Sequence, residues 1–152
     1  MTDINLLQSV SLFSRLETKH LKAILKACTE RIFETGEFLV EQGHPGIGLF
    51  IIMEGKDSIV KTLRDGEEVH IADNGPGEVI GEMSVLDGAL RTASVKAIEK
   101  TTCLVLSAWS FKSLMENHPE VALGVLPIIM QRFRETNNAL LDVSSRCHDA
   151  KS

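Results

Sequence analysis

Glycine is concentrated in the middle of this chain, and its distribution strongly restricts the fold. Ten of the eleven glycines lie between Gly36 and Gly88, where they separate short runs with strand character. Asp65-Gly66 falls between two such runs, and an Asp-Gly pair in that position is a strong hairpin signal. About eight short strands at regular spacing predict a sandwich or barrel, and an eight-stranded jelly roll fits best. The runs are residues 31–34, 38–40, 49–53, 58–63, 67–72, 79–80, 92–98 and 102–106.

The segment before these strands has helical periodicity. Thr18 is the expected N-cap of an amphipathic helix, and we expect His20 to be an exposed residue of that helix. The apolar positions that follow recur at i, i+3, i+4 and i+7, and they are Leu21, Ile24, Leu25 and Cys28.

The segment after the strands is also predicted to be helical. One amphipathic stretch covers residues 109–115, and a second begins at Pro119 and runs to about Val143. Pro127 removes a hydrogen bond inside the second helix, so we expect a kink there. An apolar stripe follows at 4-3-4-3 spacing, formed by Ile129, Phe133, Thr136, Leu140 and Val143. It is compatible with a two-heptad dimer seam or with a lid packed on the chain's own barrel.

These patterns predict one α+β domain of 152 residues. N-terminal helices occupy residues 1–29, the jelly roll (a double-stranded β-helix) residues 30–107, and C-terminal helices residues 108–143. Residues 144–152 are expected to form a polar tail, which is too short for a helix-turn-helix. We therefore expect no nucleic-acid binding by this chain.

Charge and cysteine content indicate the compartment. A net charge of −5 argues against a general nucleic-acid or membrane-surface binder. Three cysteines without a C-x-x-C pair suit a reducing environment. The N-terminus has no signal-peptide pattern, and the apolar run 121–130 is too short to span a bilayer. The expectation is a cytoplasmic protein without a membrane segment.

The residues do not form a recognisable catalytic or metal-binding pattern. Jelly rolls also carry metal enzymes, which need clustered histidines. Here the histidines are scattered, and Ser84 lacks the nucleophile-elbow pattern. We expect a binding module rather than an enzyme, with no catalytic residue, metal or cofactor. The five histidines are His20, His44, His70, His118 and His148.

Residues 77–93 have the composition of an anion-binding turn between two strands. Gly81 has no Cβ, so the backbone can approach a ligand closely there. Residues 82–86 can form one helical turn, whose first N–H groups would be free to bind phosphate. The guanidinium of Arg91 suits a phosphate with two free oxygens, and the carboxylate of Glu82 suits a sugar hydroxyl.

Gly81-Glu82 followed by Arg91-Thr92-Ala93 resembles the phosphate-binding cassette of the cyclic nucleotide-binding domain family. The resemblance covers about residues 12–141 and implies the jelly-roll fold, with a cassette at residues 80–93. It implies that Glu82 binds the ribose 2′-hydroxyl and Arg91 the exocyclic phosphate oxygens. Thr92 would bind phosphate or base, and the amides around Met83 and Ser84 would complete the site. The resemblance also implies contacts with the base, from the residues at the family's base-contacting positions: Ile59, Ile71, Thr136 and Asn137.

Two residues depart from the family pattern. Ile80 stands where an aromatic residue is common, and Asp57 stands where an apolar strand residue is usual. A buried lone carboxylate is costly. Either the strand starts at Ser58, or Asp57 faces the open mouth of the barrel.

The resemblance implies a cyclic nucleotide sensor domain that acts through its C-terminal helices on an effector the sequence does not identify. The bacterial character of the chain favours cAMP over cGMP, although a hydroxyl at Thr92 can also bind the guanine amino group. The chain is either a stand-alone sensor or a fragment, and it forms a homodimer if the C-terminal stripe is a seam. The alternative is a degenerate jelly-roll interaction module that no longer binds nucleotide and acts by helix-mediated assembly.

Overall fold

The computed structural model describes the backbone of residues 3–151 and the side chains of residues 4–147. The helices are α1 (Asp3–Ser9), α2 (Thr18–Ala27), α3 (Glu82–Asp87), α4 (Ala108–Asn117) and α5 (Pro119–Lys151), with a 3-10 turn at Ser11–Phe13. The strands are β1 (Thr29–Phe33), β2 (Phe38–Val40), β3 (Gly48–Glu54), β4 (Asp57–Thr62), β5 (Glu68–Asn74), β6 (Val79–Ile80), β7 (Ser94–Ala97) and β8 (Thr101–Ser107).

The eight strands form two antiparallel sheets of four. One sheet has the order β1-β8-β3-β6, and the other has the order β2-β7-β4-β5. Apart from the β4–β5 hairpin, consecutive strands alternate between the two sheets, as in a jelly roll, and the predicted α+β fold is confirmed. The Asp65-Gly66 turn joins β4 to β5 with Gly66 at φ +86°. That backbone conformation favours glycine, which explains the hairpin signal in the sequence.

The core has two parts, one inside the barrel and one beneath the helices. Phe33 and Phe50 meet edge to face inside the barrel, with their ring centroids 5.9 Å apart. Phe13 and Phe111 make a similar contact where the N-terminal helices pack on α4. The start of α5 joins the second part through Val121, Val125 and Ile128.

Helix α2 differs from the prediction in its N-cap residue and in the burial of His20. Thr18 is its first residue and Glu17 occupies the N-cap position without a side-chain hydrogen bond, so the predicted cap was wrong by one residue. His20 is buried, at 4% exposure, rather than exposed. It lies four residues before Ile24 and therefore shares the inner face of the helix.

Helix α5 continues to Lys151, beyond the end predicted near Val143. Residues 128–151 contain no glycine or proline, and adding a residue to an existing helix is easier than starting one. Pro127 lies inside the helix, and the kink stays a prediction. Beyond Arg132 the described side chains of α5 are exposed, up to Cys147. Within the predicted tail, the side chains of residues 148–152, including His148, lie outside the described residues.

No helix among residues 3–151 has both the length and the apolar character needed to cross a membrane.

Asp57 is fully buried, and β4 begins at this residue rather than at Ser58. It therefore does not face an open mouth of the barrel, and both explanations offered from the sequence were wrong. Its Oδ1 accepts a hydrogen bond of 2.8 Å from the Nδ2 of Asn74 on the neighbouring strand. Its Oδ2 has no hydrogen-bond partner among the described residues. Burial raises the pKa of Asp57 to about 6, and the hydrogen bond from Asn74 only partly opposes this shift.

This raised pKa predicts a pH-dependent loss of stability. The folded chain holds the Asp57 proton more tightly than the unfolded chain, whose carboxyl has a pKa of about 4. Stability from Asp57 is therefore complete below pH ~4 and lost as the pH rises through ~6, by up to ~3 kcal/mol. Asp57→Asn should remove this part of the pH dependence, measured by urea unfolding between pH ~4 and ~7.

Asp142→Asn is the control, because Asp142 is exposed on α5. The explanation fails if the Asp57→Asn variant loses stability with rising pH as steeply as the parent does.

Candidate functional site

Residues 79–88 form a strand, a glycine and a short helix, as the sequence predicts. Strand β6 pairs with β3 and ends at Ile80, and Gly81 then turns the chain with φ +83° into α3. The first N–H groups of a helix have no partner within it. Gly88 ends the six-residue helix with φ +73°, and its N–H donates to the carbonyl of Ser84. The two glycines thus fix both ends of the short helix.

Arg91 is buried, at 6% exposure, and two backbone carbonyls hold it. Its Nη1 donates to the carbonyl of Gly81 at 2.7 Å, and its Nη2 donates to the carbonyl of Gly48. Burial lowers the pKa of Arg91, while the nearby carboxylate of Glu82 raises it. A guanidinium has five N–H donors. Because these two bonds are the ones it makes among the described residues, the other donors are available to a ligand.

The position of Arg91 also explains why residue 81 is a glycine. A Cβ built on Gly81 would collide with the guanidinium of Arg91. The positive φ would strain any other residue in addition. The sequence predicts a close approach of the Gly81 backbone to a ligand, whereas the contact that the structure describes is with Arg91.

A cavity of about 270 Å³ contains all seven predicted cassette residues, together with Ile59. Asn74 also lines it and was missed, because it directly precedes the Gly75-Pro76-Gly77 turn and was read as part of that turn. The side chain of Asn74 donates a hydrogen bond to the buried carboxylate of Asp57. Asp57 is therefore directly bonded to a residue of the cavity wall. Ile80, the first residue of the predicted cassette, lines the cavity too, and the remaining lining residues missed from the sequence are apolar: Val40, Val79 and Val95.

Three predicted base contacts do not line this cavity. Ile71 is 54% exposed and lies at an irregularity in β5, where Ile59 pairs with Ala72 and Val60 with His70. The extra residue at such a bulge is left unpaired and interrupts the alternation of the strand, whereas the prediction for Ile71 came from the family resemblance alone. Thr136 and Asn137 are exposed on α5, and the hydroxyl of Thr136 donates to the carbonyl of Arg132 in its own helix. Their contact with a base stays a prediction.

An ion pair joins the cavity to α5. The Nη1 of Arg132 donates to the Oε1 of Glu82 at 2.7 Å. The side chain of Glu82 is only 16% exposed, so this pair is shielded more than a surface pair. The sequence does not single out Arg132, since nothing local distinguishes it from the exposed Arg134 two residues later. Glu82 is also the one residue of a metal-ligating type among those lining the cavity, so these residues do not form a metal site there.

A second cavity, of about 370 Å³, lies between α3, α4 and α5. Its lining is apolar except for Asp87, and Met83 belongs to both cavities. Helix α3 therefore lies between a cavity with both polar and apolar lining residues and a cavity that is almost entirely apolar. The residues around the second cavity are Met83, Leu86, Asp87, Met115, Ala122, Val125, Leu126 and Ile129.

Residues 30–118 match the family model described as the cyclic nucleotide-binding domain. This match covers more than half of the chain, including the cassette. The chain belongs to the cyclic nucleotide-binding domain family. It is 29% identical over 138 residues to a CRP-like cAMP-activated global transcriptional regulator of Mycobacterium tuberculosis. The alignment covers 91% of this chain and 62% of that regulator, so the chain spans about three fifths of its relative's length.

Solved structures give the same assignment. The catabolite activator protein of Thermus thermophilus is 32% identical and superposes with a TM-score of 0.79, over 88% of this chain and 63% of that protein. The N-terminal domain of a transcriptional regulator from Streptomyces coelicolor is also 32% identical, with a TM-score of 0.78, over 88% of this chain and 96% of that domain. Both structures therefore have the fold of this chain and about a third of its sequence.

Proposed function

We propose that this domain binds a cyclic nucleotide, with cAMP preferred to cGMP, in the cavity beside α3 and relays binding to α5. The observation that carries the proposal is that Arg91 and the first residues of α3, beginning with Glu82, line one cavity. One group suits a ribose hydroxyl and the other suits a phosphate. Binding rather than catalysis is the proposed activity.

The phosphate is assigned to Arg91 and the start of α3. Two donors of the guanidinium are bonded to the carbonyls of Gly81 and Gly48, so its position is fixed before a ligand arrives. A group held in place loses little freedom on binding. The N–H groups around Met83 and Ser84 supply further donors, and Thr92 lies at the same wall of the cavity.

The ribose is assigned to Glu82. Arg132 occupies one of its oxygens, and an ionised carboxylate has capacity on the other for a hydroxyl donor. The base then has apolar walls at Ile59, Val40 and Val95. Ile71, Thr136 and Asn137 stay proposed base contacts, which would require α5 or β5 to move toward the cavity. The preference for cAMP is supported by the cAMP-activated regulator among the relatives.

The ion pair between Arg132 and Glu82 supports a relay from the cavity to α5. A ligand hydroxyl at Glu82 competes with or shares this contact, so binding changes the forces on the helix that carries Arg132. A ligand shifts an equilibrium by its differential affinity for the two arrangements. The effector that responds to α5 is not identified by these residues.

A second copy of the chain is the proposed partner of the apolar stripe on α5. Phe133 is 58% exposed, and Leu140 and Val143 are exposed on the same stripe. An exposed apolar stripe of this size is unusual for a monomer. The lid alternative is disfavoured because the described side chains beyond Arg132 do not pack on the barrel. The 4-3-4-3 spacing suits helix pairing.

Arg91→Ala should weaken cAMP binding by ~2–4 kcal/mol, since a desolvated charged hydrogen-bond donor is lost. Arg91→Lys keeps the charge without the planar fork and should weaken binding less, with fewer effects on folding. Glu82→Gln should lower the preference for cAMP over its 2′-deoxy analogue. Calorimetric titration of each folded variant measures these effects, with exposed Arg64→Ala as the control.

Affinity of Arg91→Ala and Arg91→Lys within threefold of the parent would remove Arg91 from the site. A parent chain whose melting temperature does not respond to saturating cAMP or cGMP would favour the degenerate interaction module, because a ligand of the native state must stabilise it.

Arg132→Ala should disconnect α5 from the cavity. In the parent, cAMP should change the hydrogen exchange of amides in residues 133–147, and in Arg132→Ala this change should be reduced. Arg134→Ala is the matched control, because it removes an exposed arginine two residues away. Equal exchange responses in both variants would argue that the ion pair transmits nothing.

Phe133→Glu should convert dimers to monomers while the barrel stays folded, because a charge in an apolar seam blocks helix pairing. Sedimentation of the parent and the variant, with and without cAMP, measures the change. Trp109→Glu makes the same change of charge at an exposed aromatic residue of α4 and serves as the control. A parent that stays monomeric at high micromolar concentration in both states rules out the seam.

A further inference from the structure

Three side chains far from the cassette meet where α2 packs against the connection between α4 and α5. One ligand atom from each of His20, His118 and Glu120 lies within 4.8 Å of those of the other two. We propose that these residues form a binding site for one divalent transition-metal ion of the zinc class. The scattered histidines led the sequence analysis to expect no metal site. The fold, however, brings His20 to residues about a hundred positions later.

The donor set suits this class of ion. Imidazole nitrogen favours zinc, copper, nickel and iron, whereas calcium and magnesium prefer oxygen ligands. Two histidines and one carboxylate are a set found in zinc sites, with water in the fourth position. His118 and Glu120 are exposed, so solvent can reach that position.

The separations are close to those that a bound ion needs. Zinc bonds of ~2.0–2.2 Å in a tetrahedron place the donor atoms roughly 3.4 Å apart. The Nε2 of His20 lies 3.8 Å from the Oε2 of Glu120. The rings of His20 and His118 have centroids 6.0 Å apart. Closing the cluster takes movements of about an ångström, which the exposed Glu120 and His118 side chains can make by rotation.

The backbone around the cluster is well fixed. The N–H of His118 donates to the carbonyl of Leu114, and its carbonyl accepts from the N–H of Val121. Pro119 limits the conformation of the residue before it. His20 is held by burial on the inner face of α2. One ligand is therefore rigid and two can adapt, an arrangement suited to capturing an ion.

The ring of His20 lies close to Glu120 without a hydrogen bond between them. The Nε2 of His20 and the Oε2 of Glu120 are 3.8 Å apart, which is too long for a hydrogen bond. A bound ion would bridge these two atoms and would tie α2 to the start of α5.

Calorimetric titration of the metal-free chain with Zn²⁺ tests the proposal. Cys147 and His148 are adjacent in sequence and can bind zinc themselves, so all proteins carry Cys147→Ser and His148→Ala. This background should bind one zinc ion per chain and should not bind Mg²⁺ at the same concentrations. His118→Ala and Glu120→Gln should each weaken zinc binding at least roughly tenfold. Replacing even a residue that only hydrogen-bonds to a metal ligand typically weakens metal binding by ~10- to 100-fold.

His70→Ala is the matched control, because it removes an exposed histidine that is paired with a single carboxylate, Asp73. It should leave zinc binding unchanged. His20 is left intact because its replacement can unfold α2, and circular dichroism verifies the fold of each variant. Absence of saturable one-to-one binding, unchanged affinity in His118→Ala, or an equal loss in His70→Ala would each overturn the proposal.

Discussion

The two hydrogen bonds from Arg91 to the carbonyls of Gly81 and Gly48 hold the candidate site together. The bond to Gly48 links the cassette to the start of β3, 43 residues earlier in the sequence. Together the two bonds hold the charged side chain of Arg91 in a buried position. Removing a charge from water is costly unless it is well bonded. A side chain at position 81 would collide with this guanidinium, so the glycine there is needed for Arg91 as well as for the left-handed turn.

Asp57 is a second buried ionisable group, but unlike Arg91 it has too few hydrogen bonds to compensate for its burial. Its single described hydrogen bond comes from Asn74, and one of its oxygens has no described partner. Arg91 has two carbonyl acceptors and is ready for an anion, whereas Asp57 lowers the stability of the fold near neutral pH. The two polar residues Asp57 and Asn74 support each other, which explains how a barrel interior accommodates both.

The strands and the cassette could be predicted because their signals are local. Glycines and an Asp-Gly pair mark turns, and Gly81, Glu82 and Arg91 lie within eleven residues of one another. His20 could have been assigned to the buried face from its spacing to Ile24. Ile71 could not, because a bulge shifts the alternation at that point.

Contacts between segments that are distant in the chain could not be predicted from the sequence. Nothing near Arg132 indicates that its guanidinium reaches Glu82, since the two residues are 50 positions apart. The same holds for the meeting of His20 with His118 and Glu120. Such pairs depend on how α5 and α2 dock on the barrel, and a single sequence carries no direct signal of that docking.

Helix α5 continues for nineteen residues beyond the ion pair at Arg132, so a small movement at Arg132 becomes a larger movement at the end of the helix. From Arg132 to Lys151 the helix extends for roughly 28 Å, at 1.5 Å per residue. A tilt of roughly 10° about Arg132 would displace the far end by roughly 5 Å, about one helical turn. Under the proposed function the helix would act as a lever arm, and a small rearrangement at Glu82 would become a displacement large enough to change the register of contacts at its tip.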